Sequence, residues 1–302
     1  MAIPIPAFAE LSTETSYEEA QQVVVSKNIE TGEITAYTMC EAAYIAPVPF
    51  SMWTESPEHV THFYVNDLFN IFEGFTWTES PEHVQHHYIN PVPLNVEQIT
   101  NTRVAPYNAI VYIETLWPNG DRTAGTGFLL RPDMIITSGH NMFSMRHGGW
   151  GRSNIIIPAV NGIDTLFGFL WPSTISVGGG WINTGYVGDD WAIIRTSTRL
   201  NTSVFQTPNL TNAQLSAQSP IRTVGYPGNR AFRTMWRSRP SFVHNVSSFI
   251  FTNGTETYRG MSGSPVINDR GQAIGVHVGQ NRFGEAQAVR FGPDLLLWIS
   301  RQ

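Results

Sequence analysis

The chain has few of the residues on which several protein classes depend. Its single cysteine, Cys40, excludes an intrachain disulfide, and we take this lone thiol to be structural or incidental. Charged residues make up only 14% of the 302 residues, and no apolar run reaches bilayer-spanning length, so we expect a soluble protein with no membrane partner. The first six residues contain neither a basic stretch nor a sustained apolar run, so no secretory signal peptide is visible.

Lysine is almost absent, and the charges are divided unevenly along the chain. Residues 1–91 carry thirteen acidic side chains and only Lys27 as a basic one, whereas residues 92–302 carry eleven acidic side chains and seventeen arginines. The two net charges are therefore −12 and +6, which indicates two segments with different roles. The arginines are scattered without interleaved basic-aromatic motifs, so we expect no nucleic-acid partner.

We divide the chain at residue 90. Residues 1–90 are predicted to be an acidic leader or pro-segment with a 14-residue duplication, because WTESPEHV occurs at both 53–60 and 77–84. The histidines of the two copies could bind a metal, but a duplicated amphipathic turn with partly exposed histidines is the favoured interpretation. We therefore expect no metal and no cofactor. These histidines are His59, His62, His83, His86 and His87.

Residues 91–302 are predicted to form the main domain. Short runs of β-branched and aromatic residues alternate there with turn residues, which is typical of an all-β barrel or sandwich. The last apolar segment, residues 293–300, is predicted to be a short helix because it begins with proline and aspartate. The predicted strands include 109–113, 127–130, 134–137, 191–194, 221–224 and 273–276.

The most informative motif is the turn at residues 260–265, GMSGSP. It presents the hydroxyl of Ser262 on a glycine-flanked turn, where the N–H groups of Gly260 and Ser262 can point at one oxygen atom. A nucleophile beside such an oxyanion hole is what acyl transfer from an amide requires. His140 follows a predicted strand and Asp190 precedes another, so the chain also contains a candidate base and a candidate carboxylate to orient it.

The order of these motifs resembles that of the chymotrypsin-like serine proteases. Within that family the chain is most similar to the bacterial glutamyl endopeptidases, and the similarity extends from about residue 89 to 300. The motifs that carry the resemblance are TSGH at 137–140, DWAI at 190–193, GMSGSP at 260–265, TVGYPG at 223–228, TMW at 234–236 and QITNT at 98–102.

The resemblance implies roles for these residues and a fold for the domain. Ser262 would be the nucleophile, His140 the general base and acid, and Asp190 the orienting carboxylate, with the neighbouring Asp189 as the less favoured choice. The implied fold is two packed six-stranded antiparallel β-barrels, at about residues 105–200 and 215–292, with a short C-terminal helix. The family also leads us to expect a secreted monomer that cleaves proteins or peptides.

Two further residues match specificity determinants of the glutamyl endopeptidases. Thr257 and His277 correspond to a hydroxyl and an imidazole that can each donate a hydrogen bond to a substrate carboxylate. The resemblance therefore implies cleavage after Glu, or Asp, and the positive charge of residues 92–302 favours acidic substrates. The alternative is that His277 is a core histidine flanked by valines.

Met261 stands where many chymotrypsin-like enzymes have an aspartate. Activation through a new N-terminal ammonium paired with that aspartate is therefore excluded. By the resemblance, the mature N-terminus would be created near Ile89, and no acidic residue lies between Glu82 and Glu97. A Glu-specific enzyme could not make that cut, so either another protease activates the chain or it works unprocessed. The acidic leader would cover the basic domain and hold it inactive.

Three alternatives remain at this stage. The same triad could serve a different specificity at the residue before the scissile bond. The chain could instead be a catalytically silent relative that binds partners through its barrel surface. The third alternative is a metal-binding module built on the leader histidines.

Overall fold

The computed structural model describes residues 23–38, 48–49 and 96–302, all of which belong to one unit of the chain. Strands dominate this described part. The strands are β1 (Val23–Asn28), β2 (Ile34–Thr38), β3 (Val48–Pro49), β4 (Val96–Ile99), β5 (Ile110–Leu116), β6 (Arg122–Arg131), β7 (Met134–Thr137), β8 (Phe143–Ser144), β9 (Gly149–Trp150), β10 (Ser153–Pro158), β11 (Pro172–Gly178), β12 (Ala192–Thr196), β13 (Arg222–Gly225), β14 (Met235–Ser238), β15 (Val243–Val246), β16 (Ile250–Asn253), β17 (Pro265–Ile267), β18 (Ala273–Gln280) and β19 (Ala286–Arg290).

Helices are few and short in the same residues. The α-helices are α1 (Gly179–Thr184), α2 (Asn212–Ser216) and α3 (Pro293–Arg301). Single 3-10 turns occur at Tyr107–Ala109, Gly139–Asn141, Met145–His147 and Val187–Asp189. No helix within the described ranges is both long enough and apolar enough to cross a membrane.

The predicted all-β architecture is confirmed. Each of the six apolar runs predicted as strands overlaps a strand, and the predicted C-terminal helix forms as α3. In α3, Pro293 occupies the first turn, where its missing N–H costs nothing, and Leu295, Trp298 and Ile299 are buried on one face. This 3–4 residue spacing anchors the helix on the core.

The strands form two large antiparallel sheets. The first has the order β10-β5-β6-β7-β12-β11-β1-β2-β3, and the second has the order β15-β16-β19-β18-β17-β13-β14-β4. Both sheets carry more strands than the six expected of each barrel. The first has nine because β1, β2 and β3 extend it beyond β11, and the second has eight, including β4, which pairs with β14. β8 and β9 form a separate small hairpin.

Part of the predicted leader belongs to the first sheet. β1 pairs with β11 from Val24 opposite Gly178 to Asn28 opposite Thr174, and Val24 is fully buried in the main core. The boundary at residue 90 remains a prediction. The duplicated motif, its histidines, Cys40 and Ile89 lie outside the described residues.

The two sheets meet through buried polar and aromatic contacts. Glu114 on β5 forms a buried ion pair with Arg233, with 3.1 Å between Oε2 and Nη2. Arg233 lies 5.2 Å from the ring centre of Tyr112, which packs edge-on against Tyr226. Thr126 on β6 donates its hydroxyl to the carbonyl of Gly260 at 2.8 Å, so the Ser262 turn of the second sheet is attached directly to the first.

Candidate active site

His140 and Asp190 are brought together by two neighbouring strands. β7 leads into the turn that carries His140, and β12 begins two residues after Asp190. These strands pair with Thr137 opposite Ala192, so the two loops lie side by side. Nδ1 of His140 lies 2.7 Å from Oδ2 of Asp190, and the backbone N–H of His140 donates to Oδ1 at 2.8 Å.

The carboxylate of Asp190 fixes the orientation of the imidazole and stabilises its protonated form. Burial lowers the pKa of His140, but the charge of Asp190 and the hydrogen bond to it outweigh burial and raise the pKa above its ordinary value. Because Nδ1 is held by Asp190, Nε2 is the ring nitrogen that can exchange a proton with another group. The side chain is 28% exposed, so the ring is not sealed inside the protein.

Gly139 and Trp181 both pack closely around His140 and Asp190. A Cβ atom on Gly139 would lie 3.1 Å from both Asp190 Oδ1 and Trp181 Cδ1, which is tighter than ordinary contact. Trp181 on α1 donates its indole N–H to the carbonyl of Phe143 at 2.9 Å, and its ring lies 6.0 Å from the imidazole. Gly139 therefore allows the approach of Asp190, while Trp181 covers one side of the base.

Asp189 occupies a different site from Asp190. Its Oδ2 accepts a hydrogen bond of 2.9 Å from the N–H of Gly180 in α1. Burial raises the pKa of Asp189 to about 7, although the bonds from Gly180 and Trp191 act in the opposite direction. The structure thus places Asp190, and not Asp189, against His140.

The Ser262 turn depends on its glycines. Gly260 and Gly263 have φ angles of 91° and 90°, a left-handed region that side chains rarely adopt. A Cβ on Gly263 would overlap the carbonyl oxygen of Thr126, and one on Gly260 would overlap that of Tyr226. These two positions therefore require glycine for both backbone conformation and space.

Asn141 connects this turn to the base. Its Nδ2 donates to the carbonyl of Ser262 at 2.9 Å and to Oγ1 of Thr137 at 2.9 Å, and the N–H of Thr126 donates to the same Ser262 carbonyl at 2.8 Å. Because Asn141 directly follows His140, these bonds hold the Ser262 turn beside the base. Sequence reasoning missed Asn141, and its position next to His140 is the only feature that could have drawn attention to it.

The two N–H groups of the predicted oxyanion hole are available. Within the described ranges, neither the N–H of Gly260 nor that of Ser262 donates to a protein atom. The turn is closed instead by the N–H of Met261, which donates to the carbonyl of Tyr258 at 3.0 Å, and by that of Ser264, which donates to Met261 at 3.0 Å. The turn therefore leaves free the two donors that acyl transfer would use. Met261 itself is fully buried.

His277 lies on β18, directly behind the Ser262 turn. Its N–H donates to the carbonyl of Ser264 at 2.8 Å, while its own carbonyl accepts from the N–H of Gly263 at 2.7 Å and from Oγ of Ser138 at 3.0 Å. This strand therefore contacts both the Ser262 turn and the residue two positions before His140.

The imidazole of His277 is buried in surroundings that disfavour its charged form. It is 2% exposed, and its Nδ1 has no hydrogen-bond partner among the described residues. Burial, followed by the charge of His140, lowers the pKa of His277 to about 4. Thr257 is also buried, and its carbonyl accepts from Nε2 of Gln280 at the end of β18, at 3.3 Å. The structure thus places His277 within β18 and Thr257 in the segment before Ser262, which contacts the end of β18.

No group of three or more His, Cys, Asp or Glu side chains in the described part of the chain could hold a metal ion. The leader histidines lie outside the described residues.

The described residues form a two-sheet fold in which the paired His140 and Asp190 lie beside a glycine-flanked serine. This arrangement is that of the trypsin-like peptidases. The family model of the trypsin-like peptidase domain matches residues 125–276, half of the chain. The chain belongs to the trypsin-like peptidase family.

Two curated relatives from Bacillus are similar to this chain. The glutamyl endopeptidase of Bacillus licheniformis is 27% identical over 172 residues, which cover 56% of this chain and 52% of the relative. A protein of Bacillus subtilis named extracellular metalloprotease is 30% identical over 186 residues, covering 60% of this chain and 59% of the relative. The chain thus spans between half and three fifths of the length of these relatives.

Solved structures show the same fold. A structure described as a Glu endopeptidase in complex with MPD superposes with a TM-score of 0.61 at 25% identity, covering 68% of this chain and 95% of that one. The protease Anisep from Arthrobacter nicotinovorans gives a TM-score of 0.54 at 15% identity, covering 67% and 95%. The predicted chymotrypsin-like fold is confirmed.

Proposed function

We propose that the chain is a serine endopeptidase that hydrolyses peptide bonds with Ser262, His140 and Asp190. The observation that carries this proposal is the doubly hydrogen-bonded pair of His140 and Asp190, joined through Asn141 to the Ser262 turn. A base held by a buried carboxylate beside a nucleophile is the arrangement that activates a serine hydroxyl.

The reaction follows from these positions. As Oγ of Ser262 bonds to the substrate carbonyl carbon, its proton passes to Nε2 of His140, and the C=O electron pair moves onto the oxygen. The N–H groups of Gly260 and Ser262 stabilise this oxyanion, and losing one such donor typically costs about 3–4 kcal/mol. His140 then gives its proton to the departing amine. A water molecule repeats the sequence on the acyl-enzyme and releases the acid product.

The charge balance supports this division of roles. His140 becomes a cation in the transition state, and Asp190 lies 2.7 Å away as a buried carboxylate that stabilises it. The raised pKa of His140 makes the imidazole a stronger base than it would be alone.

We further infer a preference for Glu, or Asp, before the scissile bond. Thr257, five residues before Ser262, and His277 on β18 carry side chains that can donate hydrogen bonds to a carboxylate, and Nδ1 of His277 lacks a partner in the described structure. A substrate carboxylate bound there would raise the pKa of His277 and add a charge-assisted hydrogen bond. The net charge of +6 on residues 92–302 would concentrate acidic substrates. The names of two similar proteins point the same way.

Residues 1–90 are proposed to act as a pro-segment. Residues 1–91 have a net charge of −12. This charge suits a segment that covers a basic domain with a preference for acidic substrates until another protease cuts near Ile89. If deletion of residues 1–88 left both activity and stability unchanged, this role would be wrong.

A peptide-library digest tests the proposed activity. Intact protein and protein cut near residue 89 are each compared with Ser262→Ala, and cleavage that requires Ser262 is the expected result. If the cut, folded wild type cleaves no more than Ser262→Ala, the chain is a silent relative that binds partners. Cleavage after basic or aromatic residues would contradict the preference for Glu while the triad stands.

The specificity assignment has its own test. The ratio of kcat/KM for a Glu peptide to that for its Gln analogue measures recognition of the carboxylate charge. His277→Ala and Thr257→Val are each expected to lower this ratio, with a smaller effect on the Gln peptide. An unchanged ratio in both variants would mean that the carboxylate binds elsewhere.

A further inference from the structure

The outer edge of β11 is occupied by a strand from the predicted leader. Five consecutive residues of β1 pair with β11 in antiparallel register, and the N–H of Ile29 extends the contact to the carbonyl of Ser173 at 3.0 Å. The hydroxyls of Ser26 and Ser176 lie 2.6 Å apart in the interior. β2 then covers the far edge of β1 and β3 pairs with β2, so three strands of the leader extend the sheet.

This contact has the character of a protein core. Along β1 the inward positions Val24 and Ser26 are 0% and 7% exposed, while their neighbours are only partly buried. Val24 belongs to the main hydrophobic cluster of the domain. Loss of β1 would expose part of this hydrophobic cluster to water, which is unfavourable. It would also leave the N–H and C=O groups along the β11 edge without their strand partners.

β11 also supports the segment that carries Asp190. Its inner edge pairs with β12, with Val177 opposite Ala192. Its end runs into α1, where a Cβ on Gly179 would lie 2.7 Å from the carbonyl oxygen of Val23 in β1. α1 in turn donates to Asp189, the neighbour of Asp190. β1 therefore lies one strand away from the carboxylate that orients His140.

We propose that residues 23–38 are a permanent strand partner of β11, which stays bound after the chain is cut near Ile89 and which the Asp189–Asp190 segment needs for its native conformation. Extended segments that add to a sheet edge bind through main-chain hydrogen bonds and alternate side-chain contacts, both of which are present here. On this view the leader that is cut near Ile89 is not released, because β1 and β2 hold it on the sheet, and the mature protein is a non-covalent complex of two fragments.

The test uses the full chain with the recognition sequence of a site-specific protease inserted between residues 50 and 94. After cleavage, the fragments are passed over a gel-filtration column in native buffer and then in denaturant. Co-elution in native buffer and separation in denaturant are expected. Separation in native buffer, with the larger fragment still folded and its melting temperature unchanged, would overturn the proposal.

A pair of variants tests whether the buried face of β1 holds this strand on β11. Val24→Asp places a charge in the core and is expected to release the cut fragment and to lower Tm by about 5–10 °C. Ile29→Asp makes the same kind of change at a residue that is 38% exposed and should leave both unchanged. Equal behaviour of the two variants would contradict the proposed role of β1.

This proposal does not depend on peptidase activity, because co-elution and Tm are measured without substrate. If the fragments co-elute but no peptide is cleaved, the proposed function fails and the strand assignment stands. If peptides are cleaved at the same rate after the hairpin has been washed away, the strand assignment fails and the peptidase stands.

Discussion

Two adjacent carboxylates, Asp189 and Asp190, lie in the same short turn but have different partners. Asp190 binds the ring and main chain of His140, whereas Asp189 binds the N–H of Gly180 and is raised in pKa to about 7 by burial. Position before a strand is therefore not enough to show which aspartate contacts His140, because neighbouring residues in this turn direct their side chains to different partners.

Asp190→Asn is expected to reduce kcat for peptide hydrolysis by about 10⁴-fold. The asparagine amide would donate to Nδ1 and hold His140 in the wrong tautomer, and the pKa of His140 would fall because the neighbouring charge is lost. Steady-state kinetics on a cleaved peptide measure the loss. Asp189→Asn is the matched control and should retain most of the activity. Equal losses of activity in the two variants would show that the orienting role does not belong to Asp190.

Asp189→Asn is also expected to change the pH dependence of stability. The pKa of Asp189 is raised from 3.8 to about 7, so between these values the folded protein holds a proton that the unfolded chain has released. The wild-type free energy of unfolding therefore loses about 2–4 kcal/mol from this group as pH rises from 4 to 7. The variant lacks this loss, so its stability relative to wild type should increase from pH 5 to pH 8. Urea unfolding at both pH values measures the difference, and a difference independent of pH would contradict the account.

At the scale of elements, the site depends on short turns held by strands that pair with one another. β7 and β12 place the loops of His140 and Asp190 side by side, while β6 and β18 hold the Ser262 turn from two directions. The left-handed glycines of that turn were recognisable from their sequence motif. The bonds of Asn141 and Thr126 were not, because they join residues more than a hundred positions apart.

Asn141→Ala tests this attachment of the turn. The variant leaves the carbonyl of Ser262 with one donor fewer and is expected to lose about 1–3 kcal/mol of stability. It should also lower kcat more than it raises KM, because the nucleophile is less well positioned against the base. Asn268→Ala removes comparable side-chain bonds in the turn between β17 and β18, and it should lose stability without the change in kcat. A change in kcat of the same size in both variants would argue against a positioning role.

At the scale of the whole molecule, much of the architecture follows from local patterns. The β-branched runs became strands, and the prolines and glycines between them became turns, because these choices depend on neighbouring residues. The pairing of β1 with β11 could not be predicted in this way. It joins residues about 150 positions apart, and Val24 carries no local mark that distinguishes a core strand from an acidic leader. The distribution of charge indicated two segments, but not that the first contributes to the sheet of the second.

Covalent labelling with a fluorophosphonate, followed by mass-spectrometric mapping of the adduct, tests whether Ser262 is the nucleophile and His140 its base. One adduct, on Ser262, is expected in protein cut near residue 89. The labelling rate should fall as pH drops through a His140 pKa that lies above the ordinary value of 6.5, because protonated His140 cannot accept the serine proton. His140→Ala should abolish the adduct. A folded wild-type protein that remains unlabelled, or that is labelled equally well in His140→Ala, would contradict the assignment of Ser262 and His140 as nucleophile and base.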